Sequence, residues 1–230
     1  MMTRFVLTVR NVAVTGLALV LVAGCRKKDR ASEADSTMAA APVRTAPGIA
    51  AAAGTTFDCG SASGDVEKLI CGDTALSALN RRLADTYMEA ATKQGAPVPA
   101  WLTGDQRDWV TQRDGCAARP NLRACVDSSY TLRIAEIQAT AMLVPTKGPV
   151  TYVCTRPGGG HDELTAMFAE TNPASVVLER GDRSFTAYTA RSGNGARYEG
   201  AKVSFRDRAG QAQVTWMGTA LSCHEQAGTS

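Results

Sequence analysis

Apolar and polar positions follow three different rhythms along this chain, and the rhythm changes twice. From Val12 to Gly24 nearly every residue is apolar, with Thr15 the one weakly polar interruption. Between residues 57 and 143 apolar residues recur at spacings of three and four. Leu76, Leu79, Leu83, Tyr87 and Ala90 line one face of a helix, and Leu122, Val126, Tyr130, Ile134 and Ile137 line another. Asp73 is placed to cap the first of these, and 95-GAPVPA-100 ends it. Thr103 is expected to cap a helix carrying Trp109, Val110 and Cys116, and Gly64 to Ile70 to form a short opening helix. Pro145 to Pro149 read as a hinge.

Beyond that hinge the period becomes two. Tyr152 and Cys154 alternate with their neighbours, as do Leu164, Ala166 and Phe168, Val203 and Phe205, and Ala212, Val214 and Trp216. Val176 to Leu178 is a short apolar run, and Phe185, Ala187 and Thr189 continue the alternation. Turn signals separate these runs at 157-PGGG-160, 171-TNP-173, 181-GD-182, 192-SGNG-195 and 209-AG-210. Seven or eight short strands in so short a span predict a small antiparallel barrel or sandwich. The expected fold is multi-domain, α then β: a small disulfide-linked helical domain, then an antiparallel β-barrel of about eight strands.

Composition explains the remaining segment. Residues 26–56 are rich in Ala, Ser, Thr and Pro with almost no large apolar residues, so they read as a disordered tether. The Val12–Gly24 run is short for a permanent membrane span, which needs about 20 residues, and it follows Arg4 and Arg10, as in a signal peptide. Its end, 21-LVAGC-25, resembles the lipobox of bacterial lipoproteins, which implies cleavage before Cys25 and a lipid on that cysteine. By the same resemblance, Arg26 in place of an aspartate favours the outer membrane. The expected organisation is a signal peptide at 1–24, a lipidated Cys25 with its tether at 25–56, a helical domain at 57–143 and a barrel at 150–226.

Seven cysteines less Cys25 leave six, and exported cysteines are expected to pair. Cys154 lies in the first expected strand and Cys223 in the last, so a Cys154–Cys223 bridge would staple the sheet's two ends. Four cysteines in the helical region allow three connectivities, of which the local pairs Cys59–Cys71 and Cys116–Cys125 are preferred. No CxxC occurs and the two histidines, His161 and His224, are far apart, so no metal or other cofactor is expected.

Charge narrows the function further. Residues 57–143 hold nine basic and eleven acidic side chains, and residues 144–230 hold nine and eight. Neither region carries the concentrated basic face of a nucleic-acid binder. No catalytic set is legible: the order around Ser192 is not a nucleophile elbow, and 157-PGGG-160 lacks the GK[ST] of a P-loop. Asp105, Asp108 and Asp114 read as a solvated helix face, and Trp101, Trp109 and Trp216 as core. The loop 192-SGNG-195 reads first as a hairpin turn, yet Gly193 and Gly195 permit close backbone approach to a partner. Ser192 and Asn194 supply neutral donors and acceptors, and Arg197 and Arg208 can pair with carboxylates.

Two resemblances join these features. Through 57-FDC-59, 66-VEKLIC-71, 76-LSALNRRLADTY-87, 106-QRDWVTQRDGC-116 and 125-CVDSSYTLRIAEI-137, residues 57–143 resemble the LprI-like lysozyme-inhibitor domain. Through 152-YVC-154, 192-SGNGARY-198, 203-VSF-205 and Cys223, residues 150–226 resemble the MliC/PliC family of inhibitors of c-type lysozyme. That resemblance implies a small barrel that places a polar loop in a lysozyme's cleft. The family loop runs S-x-S-G-A-x-Y, and this chain has Ser192, Gly193, Asn194, Gly195, Ala196, Arg197, Tyr198, with Asn194 where the family has serine. Arg208 stands for the lysine of the family's F-W-x-K-G run, with one extra residue before Gly210. The implied protein is not an enzyme. It would be lipid-anchored in the periplasm, with c-type lysozyme as its partner. The competing expectation is an envelope scaffold recognising peptidoglycan fragments or another envelope protein.

Overall fold

The computed structural model describes residues 59–193 and 195–226. The expected signal peptide, Cys25, the whole of the tether, and Asn194 lie outside the described residues. Four helices precede eight strands: α1 (Asp65–Gly72), α2 (Thr74–Gln94), α3 (Ala100–Asp114), α4 (Leu122–Thr140), then β1 (Thr146–Thr155), β2 (His161–Ala169), β3 (Ser175–Arg180), β4 (Arg183–Thr189), β5 (Ala196–Glu199), β6 (Val203–Arg208), β7 (Gln211–Trp216) and β8 (Thr219–Glu225).

The helix ends follow from their side chains. Glu67 reaches back to accept from the amides of Ser63 (2.9 Å) and Gly64 (3.3 Å), which satisfies donors that α1 leaves open. Asp73 caps α2, accepting from Ala75 (2.9 Å) and Leu76 (3.1 Å), and pairs at 2.7 Å with Arg123 from α4. Helix α3 starts earlier than its expected cap. Pro99, with φ at −59°, leads directly into Ala100, so Thr103 lies inside the helix and its hydroxyl donates back to the carbonyl of Ala100 at 3.3 Å. Leu76, Leu83, Tyr87, Leu102, Val126, Tyr130 and Ile137 form the buried centre, with Trp109 edge-on to Tyr130 at 5.1 Å. Disulfides join Cys59 to Cys71 and Cys116 to Cys125.

The strands close into an eight-stranded antiparallel barrel in chain order, with β1 pairing β8. Inward side chains alternate along each strand, and Tyr152, Leu164, Val176, Leu178, Phe205, Val214 and Trp216 fill the interior. Cys154 and Cys223 sit opposite each other in the β1–β8 register and are disulfide-bonded, so the seam where the chain's ends meet is covalently closed. The expected hinge is a correction: residues 146–149 are strand, with Thr146 opposite Ala169 and Lys147 opposite Phe168. A register shift between Lys147 and Val150 absorbs the glycine and proline as a bulge, the position that a strand tolerates for them. Helix α4 packs on the outer face of β2–β4: Ala139 meets Ala169 and Val177, and the Tyr188 hydroxyl donates to the Leu132 carbonyl at 3.0 Å.

Candidate functional site

Three of the barrel's hairpins turn in two residues, at Gly181–Asp182, Ala209–Gly210 and Met217–Gly218. The β4–β5 connection is different. It runs from Ala190 to Gly195 before the strands pair again, and the Ala190 amide donates to the Arg197 carbonyl at 2.9 Å across its base. Ser192, Gly193 and Gly195 are exposed. Gly195 holds φ at +70°, and a Cβ there would lie 2.6 Å from the Asp207 carbonyl oxygen and 3.8 Å from Cβ of Arg208. Only a residue without a side chain lets the loop lie this close to β6.

The register explains why loop and cation meet. Ala196 pairs with Asp207 and Arg197 with Arg206, so the residue after Asp207, Arg208, stands beside the loop's return. Arg208 also opens the Ala209–Gly210 turn, where φ is +52° and +78°, as a type I′ hairpin requires. The guanidinium of Arg208 is exposed and makes no ion pair among the described residues. Arg197 is exposed too, but its Nε and Nη2 each sit 2.7 Å from Oε1 of Glu199.

Tyr198 is placed apart from the loop residues around it. Its ring turns inward, 5.8 Å from Phe168 and 6.3 Å from Phe205, and burial raises the pKa of its phenol. It fastens the start of β5 to the core and is not part of the exposed edge. Below it, burial pushes Tyr152 up to about 12, helped by the carboxylates of Asp207 and Glu225. The tyrosines at this end thus stay protonated, and its charges are the exposed arginines together with the carboxylates of Asp207 and Glu225.

The remaining titratable groups are spread over other surfaces. Asp162 accepts from Arg180 and sits 3.4 Å from Arg156 at the opposite end of the barrel, and the Arg180 hydrogen bond holds its carboxyl low. Among the described residues, no group of three or more His, Cys, Asp or Glu side chains could hold a metal ion, and no helix is long and apolar enough to cross a membrane. In the helical region Trp109 is buried, whereas Trp101 is only partly so.

Sequence reasoning missed a polar network in that region. Arg133, 2% exposed, donates from Nε to Oε1 of the fully buried Gln106 (3.1 Å) and from Nη1 to Glu136 (2.8 Å). Arg113, also buried, donates to the Tyr130 hydroxyl at 3.3 Å, which donates in turn to Asn80 at 3.0 Å. The signal was available: Leu102, Gln106, Trp109 and Arg113 recur at spacings of four, three and four, so polar residues occupy core positions on one helix face.

Residues 152–222 match the family model described as membrane-bound lysozyme-inhibitor of c-type lysozyme, MliC. The chain as a whole is similar to a protein named Lipoprotein LprI from Mycobacterium bovis and from two strains of Mycobacterium tuberculosis. It is 28% identical to each over 172 residues, which cover 74% of this chain and 84% of theirs. The two findings make the chain LprI-like over most of its length, with a region similar to the MliC family at residues 152–222. No solved structure matches the chain.

Proposed function

We propose that this protein inhibits c-type lysozyme by occluding its catalytic cleft, and so protects peptidoglycan. The chain would be cleaved after Gly24, held at the outer membrane by a lipid on Cys25, and would face the periplasm on the tether of residues 26–56. One observation supports this reading: the strand register sets Gly195, where the loop returns to β5, beside Arg208, a cation with no ion pair among the described residues. Glycosidases of this kind hold two carboxylates roughly 5–10 Å apart in a cleft. A narrow loop with neutral donors and one adjacent cation matches that arrangement in shape and charge. In this reading Asn194 donates an amide N–H to one carboxylate and Arg208 pairs with the other. Because Glu199 already neutralises Arg197, Arg208 supplies the charge, and Arg197 holds the foot of the loop. Residues 144–230 are close to electrically neutral, so affinity rests on this plug more than on long-range steering.

Competition tests the mode of binding. A c-type lysozyme saturated with chitotriose, which fills the cleft, should bind the mature chain at least tenfold more weakly than free lysozyme does. Equal affinity for the two would show that the chain binds elsewhere on lysozyme and would overturn occlusion.

A further inference from the structure

Away from the loop, a groove of about 740 Å³ lies between helices α3 and α4 and the barrel. Asp105 and Asp108 from α3 line one wall, and Glu179 and Asp182, at the β3–β4 hairpin, line the other. None of these four carboxylates has an ion pair among the described residues. Lys202 also lines the groove, but its ammonium lies over the Phe185 ring at 5.5 Å and makes no ion pair. Arg133 lines the groove as well, and Glu136 already meets its charge at 2.8 Å. Its Nη2 is buried and has no hydrogen-bond partner among the described residues. An unmet buried donor costs about 1–3 kcal/mol, so a group offering an oxygen acceptor is favoured there. Trp101, only partly buried, adds an aromatic surface.

These features ask for one kind of occupant. Four unpaired carboxylates on facing walls favour cations, and the buried Arg133 donor favours a neutral oxygen such as a main-chain carbonyl. An extended peptide segment with lysine or arginine side chains offers both at once. Although exposed, Asp105 is desolvated and its carboxyl is pushed up, with Glu136 and Asp108 adding to the rise, so a cation there would relieve mutual repulsion. We propose that this groove binds a basic, extended segment of a partner protein, with its cationic side chains on the Asp105–Asp108 and Glu179–Asp182 walls and a main-chain carbonyl on Arg133. The site is independent of the Ser192–Gly195 loop, and its test uses no lysozyme.

The probe is a blocked octapeptide of alternating lysine and glycine, titrated into the full mature chain at low salt and followed by tryptophan fluorescence. Binding should weaken at least tenfold between 20 and roughly 200 mM salt, as expected for exposed ion pairs. The fourfold variant D105N/D108N/E179Q/D182N should lose at least tenfold in affinity, whereas D85N/E89Q, on the exposed face of α2, and R208A should bind as the parent does. Far-UV circular dichroism and the thermal midpoint establish that each variant is folded. Equal affinity of the fourfold variant and the parent would overturn the proposal. So would a loss as large in D85N/E89Q, which would reduce the effect to net charge. A chitooligosaccharide binding in the groove in place of the peptide would also overturn it, by making the site one for glycans.

Discussion

The barrel and the helical region reach stability by opposite routes. The barrel joins strands far apart in sequence, fills its interior with apolar and aromatic side chains, and closes its seam with a disulfide whose cysteines are 69 residues apart. The helical region folds through near neighbours, with disulfides spanning 12 and 9 residues, and it buries two arginines, a glutamine and part of an asparagine network. The difference separates two kinds of recognition. In the barrel, β-register positions main-chain loops, so the exposed edge is defined by which residues face each other. Among the helices, buried polar side chains are held by one another, and of the two with an unpartnered atom among the described residues, Gln106 and Arg133, the arginine lines a groove.

Breaking the disulfides tests this contrast most strongly. In the chain-entropy model, replacing Cys154 and Cys223 by serine should cost about 4 kcal/mol, against just under ~3 kcal/mol for Cys59 and Cys71. Denaturant unfolding of the two double variants checks the order. Equal losses would show that loop length does not set the difference between the two regions.

The next effect comes from the helical network. Gln106→Ala should destabilise the protein by about 1–3 kcal/mol, because Nε of Arg133 loses its acceptor in a buried site. Arg133→Met, which removes the charge and keeps the volume, should cost less. If Arg133→Met proves the more damaging of the two, the ion pair with Glu136 matters more than the buried amide.

A smaller loss is expected at the barrel's edge. Gly195→Ala forces a side chain into a left-handed conformation at 2.6 Å from a carbonyl, which should cost about 1–2 kcal/mol and displace the loop while leaving the barrel folded. Heteronuclear NMR would report shifts confined to residues around 190–210.

The smallest effect at neutral pH is the pH dependence. All five tyrosines, Tyr87, Tyr130, Tyr152, Tyr188 and Tyr198, have pKa values raised by burial in the folded state. A raised folded pKa means that the native state holds its proton where the unfolded chain releases it. Stability from these groups is therefore complete below the ordinary tyrosine value of 10.0 and falls as pH rises towards about 12, where Tyr152 titrates. On the acid side the signs reverse: Glu67, Asp73 and Asp162 have lowered pKa values, so their contribution is lost as pH falls through them. Tyrosine absorbance and circular dichroism should change together above pH 10; titration of the phenols without unfolding would contradict their burial.

Much of this fold was legible in the chain's rhythm. Spacings of three and four marked the faces of α2 and α4, and alternation marked the inward residues of the barrel. What the rhythm could not show was register. Ala196 opposite Asp207 is a long-range consequence of the whole barrel closing, and it alone brings Arg208 to the loop. The Pro145–Pro149 segment misled for a related reason: its glycine and proline mark a bulge within β1, which local composition cannot distinguish from a linker. Buried Gln106 and Arg133 escaped because a polar residue at a helix core position is easily assigned to the solvent face. Of the candidate site, the exposed Ser192, Gly193 and Gly195 lay where their turn signal put them, while Tyr198 could be assigned to the core only once its aromatic neighbours were known.

The central claim is that one edge of the barrel, built by register, blocks a lysozyme's cleft. Its most direct test is the inhibition constant of the mature, disulfide-intact chain against a c-type lysozyme degrading cell walls, measured for the parent and for R208A, G195A and the double variant. The account predicts inhibition by the parent, at least a tenfold loss for R208A, and a larger loss for the double variant, with folding retained. Undiminished inhibition by the folded double variant, or none by the folded parent at micromolar concentration, would contradict it.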